Sequence, residues 1–372
     1  MSETVVPVAD EIVRLLGQEP ASADRDALEA LARGLLRRAP HELLQRVPPE
    51  QLLDGIRDLE RFVDARREPV AVRVREAPDG STVLNANTAD SPFLVDTVRG
   101  AIAAKGLSVR TLLHPVFGIE RAADGSVVRI GSARGAPTRE SVMRIELVER
   151  LTPERAESLR SEVALSLREL GLAVADHADM SSVVGRMIDA ARGAGARYGE
   201  EEIDETVAFL EWLREHHFVF LGSRDYAIVD GPEGPALQLV AGTGRGILRD
   251  EERSTYVAGQ PLAQMSPGLR ERIEGGDLLL ISKTNRASRV HRRARMDSID
   301  LKRIDTSGKV VGELRLIGLF TSLVYMEQAA RTPLLRRKLR RIVAAEDLIE
   351  GSHDYKATVA VFESFPRDEL FQ

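Results

Sequence analysis

The sequence predicts an α+β protein of more than one domain, and three observations carry that reading. Residues 8–66 place apolar side chains at helical spacing, with prolines as punctuation. Residues 70–170 read as strand, helix, two or more strands and helix, the ferredoxin-like order. From residue 218 onward, alternating runs separated by Gly- and Asp-rich turns point to an antiparallel sheet.

Composition agrees with a globular chain. Its 372 residues suffice for two or three cores, and 43% hydrophobic with 30% charged residues argues against wholesale disorder. A net charge of −6 argues against a general nucleic-acid binder. The chain has no cysteine, which excludes disulfides, thiolate metal sites and a cysteine nucleophile. No run approaches the roughly 18–20 apolar residues of a membrane helix. The start, MSETVVPVADEIV, lacks the basic head and apolar core of a signal peptide. The expectation is a cytoplasmic protein without membrane or nucleic-acid partners.

Residues 1–67 are expected to form a helical N-terminal arm. Val8, Ile12, Leu15 and Leu16 make one stripe; Ala27, Leu28, Leu31, Leu35 and Leu36 a second; Leu52, Ile56, Leu59 and Phe62 a third. Pro40 and Pro48-Pro49 separate them, and the apolar faces are expected to need a partner.

Residues 68–175 are expected to form the ferredoxin-like domain. VAVRVRE and STVLNAN are strands around a polar turn, and Asn85 to Asp90 is read as a polar loop. Asp90 or Ser91 suits an N-cap, with Pro92 in the first helical turn. Phe93, Leu94, Val98, Ala101 and Ile102 share one face, and Gly106 fits a left-handed helix stop before strand resumes at Leu107–Pro115. SVVRIG follows the turn at Ala123–Gly125, and SVMRIELVER alternates with Val142, Ile145, Leu147 and Val148 as apolar positions, a candidate strand for pairing between copies. Thr152 and Pro153 then start a helix carrying Leu159, Val163, Leu167 and Leu170. A loop feeding a helix N-terminus offers unpaired N–H groups, so Asn87, Asp90 and Ser91 are candidate effector-binding residues; an ordinary β–α connection is the competing reading.

Residues 176–203 are read as a helical linker with Val183, Val184, Met187 and Ile188 apolar, closing on a Gly-rich joint at 193–199. Residues 204–330 begin with a helix bearing Val207, Phe209, Leu210, Trp212 and Leu213. An antiparallel sheet of about five strands, with helices on one face, follows, including a hairpin at Thr306–Lys309. Residues 331–372 open with a basic helix, Thr332–Ala345.

Several short motifs invite chemistry that their context does not support. Gly242-Thr243-Gly244-Arg245-Gly246 lacks the third glycine and the βαβ setting of a dinucleotide fingerprint. Adjacent His216 and His217 lack metal-ligand spacing. Ser352, His353 and Asp354 are sequence neighbours and would not face one another as a triad. No catalytic, cofactor or metal constellation emerges. The strongest charge anomaly is Arg286, Arg289, His291, Arg292, Arg293 and Arg295, joined by Lys302 and Arg303. Arg289 and Arg292 are therefore further candidates to hold a phosphate, a carboxylate or an acidic neighbour. The second cluster, Arg336-Arg337-Lys338 and Arg340-Arg341, is read as a helix face with intramolecular partners. Only 4% of residues are aromatic, too few for base stacking.

The stretch NANTADSPFLVDTVRGAIAAKGLSVRTLLHP (Asn85–Pro115) resembles the first ACT-like domain of the large bacterial NAD-dependent glutamate dehydrogenases. The likeness continues in Thr206–Ile228, Gly276–Arg303, Gly312–Ser322 and Gly351–Gln372. The resemblance implies an ACT-type domain at 68–175 and a PAS-like domain at 204–330. It also implies a non-catalytic regulatory or assembly role, with NAD and the glutamate chemistry in a missing catalytic part. The chain is expected to stop before a second ACT-like domain, to self-associate, and to contact the catalytic part of its own chain. An alternative is a module that senses an amino acid. ACT domains that bind amino acids commonly present Asp-x-Pro-Gly; the matching residues are Asp90-Ser91-Pro92-Phe93, and Phe93 replaces the glycine that lets a ligand approach.

Overall fold

The structure is a computed structural model that describes residues 5–17, 23–250 and 261–372. Parts of the expected arm (1–4 and 18–22) and of the expected second sheet domain (251–260) lie outside the described residues. Packing divides the chain into two units: Met1–Gly171 with Arg289–Arg293, and Leu172–Ser288 with Ala294–Gln372.

The first unit opens with four helices, α1 (Val5–Leu16), α2 (Ala23–Leu36), α3 (His41–Arg46) and α4 (Pro49–Asp64). The six strands that follow are β1 (Val70–Glu76), β2 (Thr82–Ala89), β3 (Val109–Leu113), β4 (Val116–Arg121), β5 (Val127–Ser132) and β6 (Arg139–Leu147). Helix α5 (Leu94–Ala103) joins β2 to β3, and α6 (Pro153–Ala175) follows β6. The sheet order is β1-β2-β6-β4-β5, with β3 also pairing β6, and every pair is antiparallel. Because β6 separates β2 from β3 and β4, the β2–α5–β3 connection is the split βαβ unit of ferredoxin-like folds. The expected order thus holds, with β1 filling one edge.

Side chains of paired residues share a face, so the register assigns each apolar set. Leu84, Ala86, Met143 and Ile145 lie on one side; Asn85, Asn87, Val142 and Arg144 lie on the other. The second side is covered by α1–α4. Ile12, Leu31, Leu35, Ile56 and Leu59 share one core with Leu113, Phe117, Ile119, Ile130 and Val142. The N-terminal helices are therefore not an arm with free apolar faces; the sheet is what they bury. At Gly34 of α2, a Cβ would lie 2.4 Å from the Phe117 ring, so only glycine permits that crossing.

Two local expectations are corrected. The polar stretch Asn85–Ala89 is strand, not loop, with Asn85 and Asn87 fully buried. Tertiary pairing on both flanks overrides the turn preference of asparagine. Helix α5 begins at Leu94, and its N-cap is Phe93 in a left-handed conformation (φ 65°) without a side-chain cap, in place of Asp90 or Ser91. Its C-terminal end is as read. Gly106 has φ +66° and donates to Ala103, while Leu107 donates to Ile102, a Schellman closure.

The second unit carries α7 (His177–Arg192), α8 (Glu200–Trp212), β7 (Phe218–Gly231), β8 (Gly234–Leu239), β9 (Arg245–Gly246), α9 (Pro267–Glu274), β10 (Leu279–Ala287), β11 (Arg295–Ile304) and β12 (Val310–Phe320). It ends with α10 (Leu323–Met326), α11 (Leu335–Ala345), α12 (His353–Ser364) and α13 (Arg367–Leu370). Its sheet runs β10-β11-β12-β7-β8, with β9 on β7, again wholly antiparallel. Met180, Val184 and Met187 of α7 and Phe209 and Leu210 of α8 share a core with Ile281, Ile299, Leu301, Leu314 and Leu316. The segment read as a linker is thus a core helix of this sheet.

Strand β6 is paired on both sides, so SVMRIELVER is not an edge. Ile145 is 0% exposed. Ile145→Ala should therefore cost about 2–5 kcal/mol in urea titrations. Ile145→Asp should abolish folding; a soluble, folded Asp variant would contradict this packing.

Candidate functional site

The residues singled out at the start of α5 divide into two settings. Asn87 is a buried strand residue whose amide donates to Glu140 Oε2 (3.0 Å) and the Ser141 carbonyl (3.1 Å) and accepts from Arg121 (3.2 Å). Glu140 also accepts from Arg121 Nε (2.7 Å) and Arg66 (2.5 Å). Burial pushes the Glu140 carboxyl up, but its bonds from Arg121 and Asn87 and the nearby Arg66 hold it below its ordinary value. Asn87 is consequently a saturated structural amide and not a group displayed to an effector. Asp90 and Ser91 are half-buried, and the Asp90 N–H donates to the Arg139 carbonyl at 2.9 Å.

The other setting is a groove on α5. Asp96, Arg99, Gly100, Ala103 and Ala104 recur every three or four residues and so share one helix face. Gly100, Ala103 and Ala104 are small, which leaves a depression of about 690 Å³ that His291, Arg292 and Arg293 close on the far side. His291 itself has φ 63°, a strained geometry for a non-glycine residue. Three contacts hold it there. Its N–H donates to Thr97 Oγ1 (3.0 Å), its Nδ1 lies 3.5 Å from Asp96, and its ring centroid is 4.5 Å from that of Phe93.

Arg289 and Arg293 anchor this segment to α6. Arg293 donates to Glu162 at 2.5 Å, and Arg289 reaches Glu162 and Glu169 at 3.3 Å each. Burial pushes the Glu162 carboxyl up, but Arg293 and then Arg289 hold it below its ordinary value. The structure thus brings Arg292 to the groove wall, spends Arg289 on α6, and joins both to the Asp90–Phe93 turn through Phe93 and His291. The groove residues on α5 escaped sequence reading because that reading followed only the apolar stripe. The signal available was the run of small residues on the opposite face.

The remaining motifs have internal partners. Gly246 N–H donates to Asp176 (2.7 Å), so the Gly242–Gly246 loop closes on a carboxylate of its own unit. His217 is buried, stacks on Trp212 at 4.1 Å and bonds Glu327 at 2.8 Å. The basic face of α11 meets α8: Arg336 and Arg340 bind Glu205, and Arg337 binds Glu202. Among the described residues no group of three or more His, Asp or Glu is placed to hold a metal ion.

Residues 31–163 match the model of the glutamate dehydrogenase ACT1 domain, and residues 332–372 match glutamate dehydrogenase helical motif 1. Over 299 residues the chain is 29% identical to the NAD-specific glutamate dehydrogenase of Halomonas elongata. Over 298 it is 29% identical to that of Pseudomonas aeruginosa. Over 289 it is 25% identical to that of Mycobacterium tuberculosis. The chain is similar to part of the large NAD-specific glutamate dehydrogenases. The matches cover 75–76% of this chain, but only 16–18% of the relatives' own length. The ACT1 match contains the whole first sheet, α5 and Glu162, while α11–α13 make up the helical-motif match.

The depressed Glu162 carboxyl sets a pH dependence. A carboxylate whose folded value lies below its unfolded value stabilises above the unfolded value, and that contribution is lost as pH falls through the folded one. Anchoring of residues 289–293 should therefore hold above pH 4.5 and weaken progressively below it. Amide hydrogen exchange at His291 checks this, and Glu162→Gln should speed that exchange already at neutral pH, by roughly tenfold for a loss of about 1.4 kcal/mol.

Proposed function

We propose that this chain is a regulatory and assembly segment of a large NAD-specific glutamate dehydrogenase. In this reading, L-glutamate, NAD and water are converted to 2-oxoglutarate, ammonium and NADH in other parts of that enzyme. One observation carries the proposal. Every strand pair among the described residues is antiparallel, whereas a dinucleotide crevice is built from parallel strands with a Gly-rich turn at a helix N-terminus. The ACT1 match supports it, since it falls on the sheet and not on a nucleotide fold.

Assembly has a physical basis in the first sheet. Its edge strands are β1, β5 and β3, which pairs only β6, and β5 exposes Val128. An edge strand offers unpaired backbone groups, and two-fold contacts are the common way to cover them. Regulation by an amino acid is the second reading, and the Phe93 turn bears on it. Phe93 adopts the left-handed backbone a glycine would take, but its ring fills the approach by packing on His291. No helix among the described residues is long and apolar enough to cross a membrane.

Three outcomes test this account. The purified chain should not reduce NAD in the presence of L-glutamate; saturable turnover would overturn it. Sedimentation at rising concentration should show self-association that Val128→Lys weakens, and a monomer at every concentration would remove the assembly half. Calorimetric titration with common amino acids should give no heat, whereas heat that disappears in Asp90→Ala would favour sensing.

A further inference from the structure

On the side of the first sheet that faces α4, one row crosses three strands: Arg73 of β1, Asn85 of β2 and Arg144 of β6 are direct register partners. Asn85 is 0% exposed, yet neither its amide nitrogen nor its oxygen has a hydrogen-bond partner. An unmet amide in such a place costs about 1–3 kcal/mol in general, so the chain tolerates a defect here. Arg144 has a buried Nη1 that is likewise unmet. The carboxylates nearby are already committed. Arg73 and Arg75 share one oxygen of Asp58 (2.5 and 2.6 Å), and Arg46 and Arg110 divide the two oxygens of Glu146. Five guanidinium groups thus surround two carboxylates. Burial lowers the Arg144 value, with Arg75 beside it acting in the same direction.

Helix α4 packs on this row. Asp58 and Phe62 recur at helical spacing with Gly55, and Phe62 lies under the Arg73 guanidinium at 5.0 Å. Gly55, the third member, has no side chain; a Cβ there would come to 3.4 Å of Arg144 Nη2. The rim is open to solvent, since the Arg73 and Arg75 side chains are 33% and 28% exposed.

We propose that this row is a binding site for a small dianion, a phosphate or a dicarboxylate. The guanidinium groups of Arg144 and Arg73 take its oxygens, and the Asn85 amide completes the contact. Two negative charges are called for because the cationic surplus exceeds one, and guanidinium forks match the planar oxygens of carboxylate and the tetrahedral oxygens of phosphate. The site lies on the opposite side of the sheet from the Met143 and Ile145 side chains, and it does not depend on the assembly reading above.

The test is thermal unfolding of the 372-residue chain in phosphate, in succinate, and in chloride of equal ionic strength. A ligand bound to the folded state raises the midpoint in a saturable, concentration-dependent way. At least one dianion should do so beyond chloride, and the arm that responds names the chemistry. Arg144→Gln should weaken that response by roughly tenfold in concentration, while its own midpoint without dianion should not fall, because an unpaired buried charge has been removed. Arg73→Gln, at the exposed rim, gives the same readout if Arg144→Gln does not fold. The proposal is overturned if neither dianion exceeds chloride, or if both variants respond as the parent does.

Discussion

The Glu140 carboxylate is the interaction on which the first unit depends. It sits in the interior, 5% exposed, and draws donors from three elements: Arg66 just past α4, Arg121 at the end of β4, and Asn87 in β2. Arg121 extends the grip by donating to the carbonyls of Val63 and Gly125. The end of α4, the β4–β5 turn and the two central strands are thereby fixed to one charge. Removing a partner from such a group leaves an uncompensated buried ion, at a general cost of about 3–5 kcal/mol. The apolar core packs the helices on the sheet, but non-directional burial alone would not set where along the sheet α4 stops.

The second unit repeats this logic with different residues. Asp300 is 2% exposed and is met by Arg315 (2.8 Å) and Arg272 (2.6 Å). Burial pushes its carboxyl up, and the two arginines more than reverse that. The register puts Asp300 opposite Arg315 across β11 and β12, so one β-sheet face is apolar under α7 and α8 while the other carries the ion pairs beside a smaller apolar cluster around Tyr226. Alternation with period two makes this separation automatic once the register is set. Both units therefore have an ionic layer, and among the described residues only the row through Asn85 leaves polar atoms of a fully buried amide unmet on both its donor and its acceptor side.

Backbone strain marks the groove. Phe93 and His291 both have positive φ without being glycine, and their rings pack against each other. Strain of this kind costs about 1–3 kcal/mol per residue and persists only where surrounding contacts over-determine it. Here those contacts are the Thr97 hydroxyl and the α6 carboxylates that hold Arg289 and Arg293.

The sequence by itself determined the elements whose signals are local. The Leu28–Leu36 stripe, the Thr152-Pro153 helix start, the Gly106 stop, the Thr306–Lys309 turn and the split βαβ order are all as periodicity and turn chemistry require, and the quoted motifs led to the glutamate dehydrogenase family. Local signals failed where a distant strand decided the outcome. Asn85 and Asn87 have turn chemistry, yet β1 and β6 pair them from both flanks and make them strand. Ile145 alternates as an edge residue would, but β3 on the far side makes β6 central. The candidate sites were equally divided. Arg292 was legible as part of a charge run, whereas the small residues of α5 that face it, and the row that unites Arg73, Asn85 and Arg144, come from three or more separate stretches. Register and helix packing alone bring such residues together, and neither is written in any one stretch of chain, because each depends on which partner surface is buried.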